Sequence, residues 1–279
     1  MNPLPSSFGE RLAVCSWSLE ATSPAELAGK ILGTGIRRVQ LALDPLREAP
    51  EIWSPTAGEF QRNGIAIVSG MFGCVGEDYS TLETIRLTGG IAPDATWPQN
   101  LKNIRATASL AESLGLKLVT FHAGFLPHDH GDPDFGKLAE RLALAADIFA
   151  ARKIGLALET GQESARELAV MLRQVNRPNL GVNFDSANII LYGRDDVPGA
   201  LQVLAPWIRQ VHIKDARRTK TPGTWGEEVV VGTGDVDWRA FFAALQTAHF
   251  SGHVVIEREA GTNRIADIRA AKEIISQFA

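Results

Sequence analysis

Cysteine is scarce in this chain. Cys15 and Cys74 are the two among 279 residues. No CxxC pair is present, so neither a disulfide framework nor a zinc ribbon can be built from them. They read as buried, reduced thiols of a reducing compartment, and a cytoplasmic location is expected. Basic residues are not in excess either: 28 Lys and Arg stand against 32 Asp and Glu, for a net charge of −4. A dedicated nucleic-acid binder carries the opposite balance, so no nucleic-acid partner is expected. No apolar stretch approaches the ~20 residues of a membrane span. Met1 to Glu10 lacks the basic and then apolar pattern of a secretory leader, so no membrane partner is expected. No GxGxxG follows the first strand-like run. The glycines of GTGDVDW (232–238) lack the Lys-Ser/Thr of a phosphate loop, and the segment reads as a loop running into a helix cap. There is no internal repeat and no low-complexity tract.

What is present is an alternation. Short β-rich runs recur at Leu12–Trp17, Arg38–Leu43, Ile65–Gly70, Lys117–Phe121, Ile154–Glu159, Leu180–Phe184, Ile208–Ile213 and His253–Ile256. Most read as apolar along their whole length, the pattern of parallel strands buried on both sides. Helical patterns lie between them. Ser23 caps a helix opened by Pro24, and 101–114, 138–151, 163–175, 197–205, 237–248 and 266–278 follow. Apolar residues make up 45% of the chain, enough for a full core. Strict βα alternation fits a closed barrel or an open doubly wound sheet. Eight units without a dinucleotide fingerprint favour an α/β (β/α)8 TIM barrel, expected as one domain over residues 1–279. Two long βα segments, 71–98 and 215–237, are expected to stand over its mouth.

In such a barrel, the C-terminal strand ends line the catalytic mouth. Strand five ends in Glu159, strand six in Asp185, strand seven carries His212 and strand eight ends in Glu257. Each alone has a plain structural explanation. Asp185 caps a following helix, His212 sits satisfied in a core, and Glu257 belongs to a charged rim with Arg258 and Glu259. Arrival from four consecutive strands is what a structural explanation does not cover. Three clustered carboxylates are costly without a cation. One imidazole with three carboxylates is a hard, oxygen-rich set that suits Mn²⁺ or Mg²⁺, with Co²⁺ possible and zinc less favoured. Lys214 lies two residues after His212 and should face the same way, to offset the acids or meet an enediolate oxygen. Trp17, at the end of strand one, and Trp225 offer aromatic faces to a sugar ring. Trp238 is expected to anchor a helix in the core. His128 and His130 read as solvated.

The stretches LALETG, NFDSANIILYG, QVHIKDA, GTWGEEVVVGTGDVDW and VVIERE resemble the sugar phosphate isomerase/epimerase group, the xylose-isomerase-like barrels. The resemblance covers nearly the whole chain. It implies that Glu159, Asp185, His212 and Glu257 hold one divalent metal, commonly Mn²⁺, and that Glu159 and Glu257 are the proton-transfer pair. The implied reaction is isomerisation or epimerisation of a hydroxyketone or keto-sugar through an enediolate. A dehydratase acting on a keto-cyclitol or 3-keto-glycoside with the same site is the alternative, and a non-catalytic sugar- or metal-binding barrel is another. A DNA-repair endonuclease fits poorly, because Gln40 and Ser69–Gly70 end strands two and three where further ligands would be needed. His122, in TFHAG, looks like the group's mouth histidine. Asn188 stands where ketose 3-epimerases of the group usually carry histidine. The arginine that follows their metal histidine corresponds to Arg217 or Arg218. The group often forms homo-oligomers.

Overall fold

A computed structural model of the chain describes residues 8–221 and 223–278; the first seven residues of the Met1–Glu10 reading lie outside them. Eight parallel strands close into a barrel: β1 (Leu12–Cys15), β2 (Arg38–Ala42), β3 (Ala66–Met71), β4 (Leu118–Phe121), β5 (Gly155–Glu159), β6 (Leu180–Asp185), β7 (Ile208–Ile213) and β10 (His253–Ile256). Neighbours in sequence are neighbours around the barrel, and β1 pairs with β10 to close it. Between β7 and β10 lies a two-stranded antiparallel hairpin, β8 (Asp215–Arg217) and β9 (Glu227–Val229). Among the described residues no helix is long and apolar enough to cross a membrane.

The strands alternate more than the apolar reading of them suggests. Leu156, Leu158, Val182, Phe184, Val211 and Ile213 belong to the main core between strands and helices. Inside the barrel a second, small cluster joins Ala13, Cys15 and Val255, with Trp17 and Val68 against it. Above it the interior is polar, with Gln40, Ser69, Thr120, Asn183 and Gln210 wholly buried. Register shifts fall just before two of these, between Val39 and Gln40 of β2 opposite Ile67 and Ser69, and between Val182 and Asn183 of β6 opposite Ile208 and Gln210. Bulges of this kind re-aim side chains at barrel rims and beside functional sites.

Local chemistry sets the helix ends. Ser23 caps Pro24–Gly33 by accepting from Glu26 N, as the Ser-Pro pair predicts. Ser164 and Glu167 form a reciprocal capping box on Ala165–Val175. Asp237 caps Trp238–Thr247, and Trp238 is buried against Phe241 and Phe242. Two helices begin earlier than their apolar spacing indicates, at Trp97 and Pro133, because a proline in the first turn opens each before the periodic residues start. The 71–98 segment is not all loop: Thr81 and Thr84 cap a helix over Leu82–Thr88. β1 ends at Cys15, so Trp17 lies beyond the strand in a 3-10 turn.

The hairpin escaped the sequence reading because its three-residue strands are charged and do not alternate. One buried carboxylate organises it. Asp215 accepts from Gly232 N, Gly234 N, Val236 N and Trp238 Nε1, at 2.8 to 3.2 Å. Gly234 is required there: a Cβ on it would lie 2.1 Å from Asp215 Oδ1. The GTGDVDW glycines therefore wrap an internal anion, and Asp237 supplies the helix cap that the sequence predicts. Asp215→Ala leaves these donors unpaired in a dry site and is expected to cost about 3 kcal/mol or more, read as a lowered urea midpoint. Asp215→Asn, which keeps one accepting oxygen, should lose less.

Candidate metal centre at the barrel mouth

β5, β6, β7 and β10 bring Glu159, Asp185, His212 and Glu257 to one point, with donor atoms all within 4.8 Å of one another. All four side chains are buried. The imidazole Nδ1 faces the acids, 3.3 Å from Glu257 Oε2, 3.6 Å from Glu159 Oε1 and 3.9 Å from Asp185 Oδ2.

Each carboxylate is tied to the frame, Asp185 and Glu257 through one oxygen and Glu159 through both. Asp185 Oδ1 caps the helix Ser186–Tyr192, accepting from Ala187 N and Asn188 N at 2.7 and 3.1 Å. The capping explanation of Asp185 is thus correct, and it uses only half of the group. Glu257 Oε1 accepts from Trp17 Nε1 at 2.6 Å. Glu159 Oε2 accepts from Asn183 Nδ2 at 3.0 Å, and its Oε1 from Asn188 Nδ2 at 3.3 Å. What remains is Asp185 Oδ2, Glu257 Oε2 and His212 Nδ1, buried and without a hydrogen-bond partner among the described residues. Convergent buried ligand atoms of this kind could hold a cation.

Two neighbours moderate the negative charge. Lys214 Nζ lies 2.9 Å from Glu257 Oε2, out of hydrogen-bond alignment, and 3.9 Å from Asp185 Oδ2; it also pairs with Glu259. Its neighbour in sequence, Asp215, turns away to the hairpin instead. His122 Nε2 lies 3.8 Å from Glu159 Oε1. Burial alone would push every acid up. For Glu257 that is more than reversed by Lys214 and then His212, which hold it well below the usual carboxylate range. For Glu159, His212 and His122 also outweigh burial and lower it. For Asp185 burial wins over Lys214, and it is raised to about 6.

Above the cluster opens a cavity of about 560 Å³, whose lining includes Trp17, Tyr79, His122, Asn188, Tyr192, Lys214 and Trp225. Tyr79 comes from the 71–98 segment, and Trp225, edge-on to Tyr192 at 4.8 Å between centroids, from the hairpin. Arg217 and Arg218 are not in this lining. Arg217 donates to Thr233 O at 3.0 and 3.1 Å, and Arg218 donates to Asp195 O at 2.8 Å. Both side chains are exposed and hydrogen-bonded outside the cavity, so the structure does not bring them to the cluster. Trp17 adds to its expected role a bond to Glu257. Asn188 is committed to Glu159 and Thr160 O. His128 pairs with Glu167 at 2.6 Å, while remaining exposed.

The sequence reading missed Asn183 and Gln210 and took Gln40 only as a missing ligand. Asn183 and Gln210 stand two residues before Asp185 and His212, so strand periodicity alone places them on the same inner face.

One further acid lies behind the site. Glu163 is buried, and burial raises it to about 7 from 4.5. Its contribution to stability is therefore full below the unfolded value and is lost as pH rises to about 7. Glu163→Gln keeps the shape without the charge. We expect the variant to gain on the wild type by about 3 kcal/mol between pH 4.5 and 8, measured as paired urea midpoints, with no gain at pH 4.

Comparisons with known proteins agree with this fold. Residues 54–278 match the family model described as xylose isomerase-like TIM barrel. The crystal structure of a xylose isomerase domain protein from Planctomyces limnophilus is 30% identical, covers 96% of both chains and superposes with a TM-score of 0.86. An L-ribulose 3-epimerase structure shares the fold at 18% identity and a TM-score of 0.75, over 96% of this chain and 94% of that one. A ketose 3-epimerase from Arthrobacter globiformis is 32% identical over 94 residues, 34% of this chain and 29% of the epimerase. Curated relatives are matched over less than half of their own length.

Proposed function

The chain belongs to the xylose isomerase-like TIM barrel family, and from that premise we propose that it is a divalent-metal-dependent isomerase or epimerase of an unphosphorylated keto-sugar. The observation that carries this reading is the convergence of Asp185 Oδ2, Glu257 Oε2 and His212 Nδ1, none of them hydrogen-bonded, beside Glu159 on the floor of an open cavity. Mn²⁺ is the favoured ion, with Mg²⁺ or Co²⁺ as substitutes, because the set is mostly oxygen. A cation held by these four residues would polarise the oxygens of an α-hydroxyketone and make the adjacent C–H acidic.

The chain's own residues do the rest. Glu257 is kept ionised by Lys214 and oriented by Trp17, so it can accept a carbon-bound proton. Glu159, held by Asn183 and Asn188, enters from the far side of the cluster and, once it has taken a proton from solvent, can return one. Return to the opposite face of the same carbon inverts it; return to the neighbouring carbon moves the carbonyl. In both cases the substrate passes through an enediolate. Lys214 and His122 are placed to bind substrate oxygens, and Trp17, Tyr79, Tyr192 and Trp225 give apolar faces to a sugar ring.

Among the described lining residues the basic side chains are Lys214 and His122, and Lys214 is already shared between Glu257 and Glu259. With Arg217 and Arg218 turned away, the cavity offers no fork for a phosphate and presents acids instead. This supports a neutral substrate and argues against a nucleic-acid backbone.

The test is solvent deuterium incorporation beside the carbonyl, followed by NMR over paired free and phosphorylated keto-sugars, with metal-stripped protein as control. We expect Mn²⁺-dependent exchange on an unphosphorylated member and none on its phosphate ester. Exchange only on esters would overturn the substrate class, and exchange that persists after stripping would overturn the metal requirement. Glu257→Gln is expected to lower turnover by about 10²–10⁴-fold in a folded protein; near-normal turnover would end the two-glutamate mechanism.

A further inference from the structure

Beneath the acid cluster, where a barrel of this kind is usually filled by branched apolar side chains, lies a ladder of buried amides. Ser69 Oγ donates to Gln210 Oε1 at 2.6 Å. Gln210 Nε2 donates to Gln40 Oε1 at 2.8 Å and to Asn183 Oδ1 at 3.2 Å. Gln40 Nε2 donates to Thr120 Oγ1 at 2.8 Å. His212 Nε2 lies 2.7 Å from Gln40 Oε1 and 3.0 Å from Asn183 Nδ2.

The direction of the ladder follows from one end. An ionised carboxylate only accepts, so Asn183 must offer Nδ2 to Glu159 and Oδ1 to Gln210. Gln210 must then present Nε2, and Gln40 must answer with Oε1. The two amides at His212 therefore give opposite instructions. Gln40 asks for a proton on Nε2, whereas Asn183, as a donor, asks for a lone pair there.

We infer that Gln40 is the positioning residue that wins this competition: in the neutral imidazole that a metal requires, it places the His212 proton on Nε2 and so turns the Nδ1 lone pair toward the acid cluster. The shorter contact is to Gln40. An imidazole lone pair set against a carbonyl oxygen at 2.7 Å would be repulsive, whereas an N–H there makes a good hydrogen bond. Gln40 touches none of the three acids; it acts through His212, as partners of ligand histidines do. The metal consequence rests on the function proposed above, but the proton assignment does not.

The experiment uses protein labelled with ¹⁵N-histidine, with Mg²⁺ and at alkaline pH without it, together with Mn²⁺ calorimetry and thermal melts. Wild-type His212 should show a protonated Nε2 and a lone-pair Nδ1. Gln40→Met, similar in length but with no acceptor, should move the proton to Nδ1 under the pull of Asn183 and weaken Mn²⁺ binding 10–100-fold. Gln40→Glu, which keeps an acceptor, should restore both. A wild-type protein with the proton on Nδ1 overturns the inference without any variant. So does a Gln40→Met protein that keeps the Nε2 proton or binds Mn²⁺ as well as wild type. Wild-type protein that takes up no Mn²⁺ sinks the metal reading, while the imidazole signals still decide the role of Gln40.

Discussion

Three carboxylates meeting in a dry barrel end are the constraint to which the surrounding structure answers. Charges a few ångströms apart repel strongly where water is excluded, and each also loses its hydration. The surroundings counter this in several ways. Lys214 lies against Glu257, and His122 lies near Glu159. Asp185, which has the weakest cationic support, is raised to about 6. Each acid also has one oxygen bound by donors of the frame: helix N–H groups, the Trp17 indole or the Asn183 amide. Asp185 Oδ2 and Glu257 Oε2 have no such partner, and that is the physical case for a cation.

The barrel supports this arrangement from below and from above. Below, the small inner side chains Ala13 and Cys15 leave room for the amide ladder. The ladder joins Gln40, Gln210, Asn183 and His212 through short contacts on both sides of the imidazole Nε2, so the ring cannot rotate freely. Above, the two longest βα segments bring Tyr79 and Trp225 to the cavity wall. The hairpin is held in place by Asp215, which sits immediately after Lys214 and faces a different set of partners. Adjacent residues thus serve two systems: one holds the loop and the other balances the charge of the site.

Much of this was legible in the sequence because it depends on local or periodic rules. Eight strand-like runs and the helices between them follow from hydrophobic patterning. The Ser23 and Asp237 caps follow from hydrogen-bonding chemistry within a few residues. The acid-and-histidine set was legible because strand ends in a barrel share one rim, so four positions far apart in sequence fall together once the architecture is known. The hairpin was not legible, since its pairing and its Asp215 anchor come from contacts that no period announces. The directions of Arg217 and Arg218 were not legible either, because contacts with Thr233 O and Asp195 O accompany them and distance from His212 does not set them.

The sequence by itself determined the order of strands and helices, the barrel class and the residue types at the mouth. It could do so because burial and backbone hydrogen bonding act through spacing along the chain. Only the tertiary structure decided which oxygens of the acids are tied and which are free, that Trp17 holds Glu257, that Lys214 serves the acids and not Asp215, and that Gln40 and Asn183 compete for one imidazole nitrogen. These are matters of direction over two or three ångströms between residues far apart in sequence. Hydrogen bonds and charges depend steeply on such distances and angles, and spacing along the chain carries no record of them.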